Sequence, residues 1–406
     1  MANVLQVLGM WVGFLVFFAS ACSQGEGNTT EFITYDSAGV QIAENVNVGR
    51  EDSPLWTLSE EPVLEIGTLH GEGGALFHQV SDATLTRTGG IAVSNRGSRE
   101  VRLFDANGNF LRSLGRRGEG PGEFQSLTRI WSAGDSVIAF DVGLNRSSVY
   151  TLGGEFVRSF QPDLGDGIIQ QRGVFSDGSF LFESWGSASI QEIGDLYQSY
   201  LDFFRVSRDG TDRHPILTEV PRALSFDLIR PPGIVERRAA YFAPHTSAAV
   251  TLDGIYVGTA ESHEVALIDS EGRLVRRIRW DGAVRPITAP DRSRYVDWRV
   301  GRIGSEEGRD RLRAEAAGWV FAPNYMAYFA VHADRLGNLW VRPFDPPWEE
   351  LRSPWLVFSR EGGFLARIVI PRDLEVFEIG EDYVLTLTRD EFDAEYVRMY
   401  ELVKHE

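Results

Sequence analysis

The side chains that most often carry catalysis are sparse in this sequence, and their spacing matches no common ligand set. Seven histidines are scattered over 406 residues, and Cys22 is the only cysteine. There is no H-E-x-x-H pair, no paired-cysteine motif and no Walker-type loop, so the usual zinc and nucleotide sites lack their ligands. No G-x-S-x-G elbow marks a serine nucleophile. The glycine-rich run G-E-G-P-G-E-F (Gly118 to Phe124) does not open a helix, which argues against a phosphate cradle. Neither a metal nor any other cofactor is expected from these motifs.

What remains is recognition chemistry. Arginine clamps carboxylates through two parallel hydrogen bonds and stacks on rings. Arginine and tryptophan dominate binding hot spots once a partner buries them. Arg96, Arg146, Trp185, Arg342 and Trp348 are the candidate ligand-binding residues, for the topological reason given below. Acidic residues outnumber Lys and Arg by 58 to 40, a formal net charge of −18. That balance repels phosphate backbones and anionic headgroups, so nucleic acid and a polybasic membrane contact are not expected partners. Hydrophobic residues make up 43% of the chain and aromatics 12%, enough to bury a large core.

The first 21 residues carry no charged side chain, and the apolar run from Val4 ends in Ala19-Ser20-Ala21-Cys22. An apolar core, small residues and then a polar stretch form the layout of a secretory signal. Cys22 has no second cysteine with which to form an intramolecular disulfide. Its place directly after small residues resembles a bacterial lipobox, although Ala19 stands where leucine is usual and no Lys or Arg precedes the run. The resemblance implies cleavage before Cys22 and acylation of its thiol, with Ser23 implying sorting to the outer membrane. A retained helix stays open as an alternative, since about 18–20 apolar residues just span a bilayer, as does simple secretion. The expected organisation is a signal peptide over 1–21, a linker over 22–30 and one domain over 31–406, anchored in the cell envelope.

After residue 60 the pattern is period-2 segments cut by glycine turns. One kind of turn precedes a strongly apolar strand, and its glycines are Gly90, Gly134, Gly178, Gly254, Gly337 and Gly380. A second kind follows a third strand, as in F-D-A-N-G-N-F-L-R (Phe104 to Arg112) and I-D-S-E-G-R-L-V-R (Ile268 to Arg276). It occurs five times, because the sixth unit stops at its third strand. The segment Pro62 to Gly67 precedes G-E-G-G-A-L-F (Gly71 to Phe77) as Phe110 to Gly115 precedes Gly118 to Phe124. It is therefore expected to supply the missing strand. Six four-stranded units closed in this way make an all-β, six-bladed β-propeller. Closure also removes the free edges that would template aggregation.

The G-E-G-P-G-E-F motif followed by strand, turn and strand resembles NHL-repeat propellers. The chain as a whole resembles bacterial six-bladed propeller lipoproteins. The resemblance implies the fold but not an activity, because propellers host many functions.

Propeller topology assigns a face. Turns between strands one and two, and between three and four, lie on one side of the ring. Loops between strands two and three, and connections between blades, lie on the other. The long segments 184–200, 218–246, 281–324 and 343–354 all fall on the connection side, and so do the five candidate residues. The third segment is expected to contain helix, with Ser305 as N-cap and Leu312, Ala316 and Trp319 on one side. Tyr295, Trp298 and Arg302 form a second stripe. Loops on a rigid scaffold are where binding residues usually sit. The expected function is a monomeric binding or scaffolding module of the envelope that recognises a small molecule, peptide, glycan or protein through this face. The alternative is an NHL-type lyase or hydrolase with a metal in the central channel, where His332 falls on an innermost strand.

Overall fold

The computed structural model describes residues 30–69, 73–165, 167–186, 195–230 and 234–405. The signal segment, Cys22 and His70 lie outside these residues.

Antiparallel blades surround one axis, each starting innermost. Blade 1 consists of Val80–Leu85, Ile91–Asn95, Glu100–Phe104 and Phe110–Leu114. Blades 2 to 6 begin at Leu127–Ala133, Ile168–Val174, Ser247–Thr251, Ala330–Ala333 and Glu375–Ile379. The protein is a six-bladed β-propeller.

Its second strands are built around apolar runs because neighbouring blades cover both faces of each sheet. Ile91, Ala92 and Val93 are all fully buried. Ile91 and Val93 pack toward blade 6 with Tyr383, Leu385 and Leu387. Ala92 points the other way, toward Ile130, Val137 and Ala139 of blade 2. The same alternation continues round the ring. The glycine turns follow from geometry as well. Gly254 has φ +149°, and a Cβ there would stand 2.0 Å from the carbonyl oxygen of Ile268, so no side chain fits.

The N-terminal segment closes the ring and also straps its rim. β1 (Glu31–Ser37) and β2 (Val40–Val46) form a hairpin. β2 adds parallel to the outer strand of blade 4, Leu274–Trp280. β3 (Leu55–Leu58) runs parallel to the outer strand of blade 5 and also pairs Leu58 with Leu402 of the last strand. β4 (Leu64–Ile66) pairs antiparallel with that last strand, Glu395–Val403, through Met399↔Leu64 and Val397↔Ile66. The fourth strand of blade 6 therefore comes from residues 62–67, as the repeat pattern requires. The strap over residues 31–58 is an addition that no repeat motif announces. Asn45, 1% exposed, fastens it: its amide donates to the carbonyls of Arg279 (3.1 Å) and Gly362 (2.9 Å) and accepts from Phe364 N (2.7 Å).

Two further expectations need correction. Part of segment 218–246 is strand rather than loop. The outer strand of blade 3 runs on from Arg213 to Arg230 and pairs with Ile234–Ala239 as a projecting hairpin. Helix α1 (Ala289–Val300) starts at a capping box between Thr288 and Asp291 and carries Tyr295 and Trp298. Helix α2 (Glu306–Ala316) is capped by Ser305 as expected, yet buries no residue, and Trp319 lies beyond its end.

Burial of β4 gives a direct test. Ile66 is 2% exposed within the core between blades 6 and 1, whereas Val63, just outside β4, is 60% exposed. Ile66→Ala is expected to lower unfolding free energy by about 2–4 kcal/mol, and Val63→Ala by under about 0.5 kcal/mol. Denaturant unfolding of both variants measures this, and equal losses would contradict the closure geometry.

Candidate functional site

On the connection side, three insertions meet as a roof. The blade 3 hairpin joins the blade 4 to 5 connection through Tyr241 N donating to Val320 O at 2.8 Å. Ile287 N donates to Pro323 O at 2.9 Å. Between these backbones lies an aromatic cluster. Tyr241 and Trp319 have ring centroids 4.7 Å apart, and Phe242 and Tyr295 4.8 Å. Cations cover its outer rings: Arg302 lies 3.9 Å from the Trp298 centroid and Arg299 5.5 Å from that of Trp319.

A cavity of about 570 Å³ opens at the seam between blades 6 and 1. One wall is the lead-in Phe77 to Ser81; the others are Arg96 in the blade 1 loop and Arg389, Asp393 and Glu395 around the blade 6 loop. Backbone bonds from Arg96 N to Gln79 O (3.2 Å) and Gly97 N to His78 O (2.9 Å) fix the lead-in. Buried Glu395 crosses the seam, accepting from Val80 N (2.8 Å) and from Arg389 Nη2 (2.7 Å). Gln79, Arg99 and Asp393 hold φ of 57°, 60° and 63°, left-handed values that non-glycine residues adopt only under constraint.

Two groups around this cavity are free to bind. The guanidinium of Arg96 makes one contact among the described residues, a long one of 3.4 Å to Ser126 Oγ. The exposed His78 imidazole has no hydrogen-bond partner among them. Arg389, by contrast, is held by Glu395 and reinforces the wall.

The five candidate residues share the connection side but not one pocket. Arg146 spends its guanidinium on the carbonyls of Glu119 (2.8 Å), Gly120 (2.8 Å) and Glu123 (2.7 Å), so it clamps the blade 1 to 2 connection. Trp185 ends the second strand of blade 3 and carries Arg222 at 4.5 Å over its ring. Trp348 belongs to the roof, 5.9 Å from Phe242 and 6.3 Å from Tyr295. Arg342 ends the second strand of blade 5 beside a separate, small pocket. No local sequence pattern marks Gln79, Asp393 or Glu395, whose roles depend on a seam joining residues some 300 positions apart.

Nearer the axis, two titratable groups are displaced. Burial pushes the carboxyl of Asp82 up to about 6 against the pull of Arg129, and it accepts from Ala83 N and Ile130 N at 3.0 Å. Burial, with the charges of Arg342 and Arg129, pulls His332 down to about 4. At neutral pH this leaves Asp82 ionised and His332 uncharged. His332 lies against Trp355, with centroids 5.1 Å apart. Among the described residues no three His, Cys, Asp or Glu side chains form a group that could hold a metal ion.

Comparisons with known proteins agree on architecture. A family model, DUF5128, described as a 6-bladed beta-propeller, matches residues 73–168. A member of the DUF4221 family from Bacteroides vulgatus superposes with a TM-score of 0.53 at 8% identity, covering 88% of this chain and 100% of that one. A Bacteroides fragilis protein named as exported gives 0.46 at 11% identity, over 87% and 99% of the two chains. Virginiamycin B lyase from Staphylococcus aureus gives 0.41 at 10% identity, over 84% and 98%. At 8% identity the likeness to the Bacteroides vulgatus protein is one of fold alone. No curated protein matches the sequence.

Proposed function

We propose that this protein is an exported, lipid-anchored propeller that binds a ligand through its connection side, with the seam cavity as the principal site. The observation that carries the reading is a pair of exposed polar side chains with few or no protein partners, Arg96 and His78, at the rim of a cavity whose wall is fastened across two blades. A rigid wall with free donors loses little conformational entropy on binding. Arg96 selects an acceptor-rich group, and the His78 imidazole adds a second donor or acceptor. The ligand class is a peptide or glycan that presents such a group.

Screening the mature protein against peptide and glycan arrays tests the proposal. For ligands recovered in this way, Arg96→Ala and His78→Ala should each weaken binding by roughly tenfold, about 1.4 kcal/mol, without lowering the melting temperature. Glu361→Ala, on the short-turn side, should leave binding unchanged. The reverse pattern would place function on the other face.

The anchor has its own test. A single acyl chain holds a protein only marginally, so two or more are expected on Cys22. Mass spectrometry of the membrane-extracted protein should show an acylated N-terminus at Cys22. A protein retaining Met1 would contradict the proposed export route.

A further inference from the structure

A second pocket lies one seam away, between the blade 5 loop and the connection from blade 5 to blade 6. Three of its lining residues are arginines: Arg342, Arg352 and Arg372. Their partners differ in a way that matters. Arg372 is tied to the carbonyls of Pro347 (3.2 Å) and Glu349 (3.0 Å). Arg352 reaches Asp345 at 3.3 Å. Asp345 is already engaged by Ser353, whose Oγ donates to it at 2.6 Å. The side chain of Arg342 has no hydrogen bond and no ion pair among the described residues.

Arg342 is nevertheless half-buried. Its guanidinium lies 4.6 Å from the Phe329 centroid and 5.9 Å from that of Trp355. Two rings thus flank the fork, while its N–H groups have no acceptor among the described residues. Burial and the neighbouring Arg352 both work against its charge, and Glu375 and Asp345 offset them only partly. Arg302, just past α1, adds another positive charge within reach of Arg372. A half-buried guanidinium with no acceptor from the protein leaves its N–H groups available to an anion. In a chain of net charge −18, this pocket is lined by three arginines and one aspartate.

We propose that Arg342, with Arg352 and Arg372 behind it, forms a subsite for one carboxylate group of a larger ligand. The pocket itself holds only about 20 Å³, room for little more than a water-sized group. That suits the two oxygens of a planar carboxylate, which match the Arg342 fork, better than a tetrahedral phosphate. The rest of the ligand lies outside, over the face. The inference shares the connection side with the proposal above but uses none of the seam-cavity residues. The carboxylate can come from an acidic peptide or from a uronic-acid glycan.

Calorimetry at low ionic strength tests it with five probes: capped triglutamate, capped triglutamine, trigalacturonate, neutral trigalactose and inorganic phosphate. At least one carboxylate probe is expected to bind ten times tighter than its neutral counterpart and tighter than phosphate. The tighter of the two acidic probes identifies the source. Arg342→Ala and Arg342→Lys should each weaken it at least tenfold, the lysine variant because it keeps the charge and loses the fork. Arg96→Ala should bind this probe as the parent does. Arg342→Lys melting with the parent would establish that the loss is not unfolding. The subsite is overturned if neither acidic probe outperforms its neutral counterpart, if phosphate binds tightest, or if both Arg342 variants bind normally. Loss in Arg96→Ala alone would overturn it while leaving the seam cavity standing as the binding site.

Discussion

The ring exists because the N-terminal strand β4, with the end of β3 beside it, pairs with the last strand of the chain. Without β4, blade 6 would have three strands and an open edge. The core between blades 6 and 1 would lose Ile66 from its center. The pairing joins segments more than 330 residues apart, as in the Arg398 to Glu65 ion pair at 2.7 Å. No local interaction substitutes for it. Loop closure over such a span costs only slightly more entropy than over a shorter one, so the burial it permits outweighs it.

The functional face depends on that closure. The seam cavity lies between the first and last blades, the two that closure brings together. Glu395 bonds Val80 across the same seam, just beyond the residues that pair with β4. The roof over blades 3 to 5 is a separate matter, an aromatic core built from insertions on one side of the ring. It shapes the neighbourhood of the Arg342 pocket, since the blade 5 loop contributes Trp348 to the roof and Arg352 to the pocket.

Much of the fold was legible in the sequence because each blade is covered on both faces. That burial writes uninterrupted apolar triplets such as Ile91-Ala92-Val93, and the tight hairpins write glycines between them. The strap was not legible. β2 and β3 pair in parallel with outer strands of other blades, and such pairing leaves no local pattern. The candidate site was legible only as residue types on a face. Arg96 and Arg146 look alike in sequence, yet one projects over a cavity and the other is saturated by backbone carbonyls. Acceptors of that kind carry no side-chain signature. Arg352 and Arg372 carry no local signature for a related reason, since their convergence on Arg342 depends on how the blade 5 loop folds back.

Thermal unfolding of two truncated chains tests the dependence on closure most directly. Removal of residues 23–30 leaves every strand in place, and the account predicts a single cooperative transition like that of the parent. Removal of residues 23–70 takes away β1 to β4, and the account predicts loss of cooperative unfolding. If the longer truncation melted as the parent does, the ring would be stable without its N-terminal strand and the central claim would be wrong.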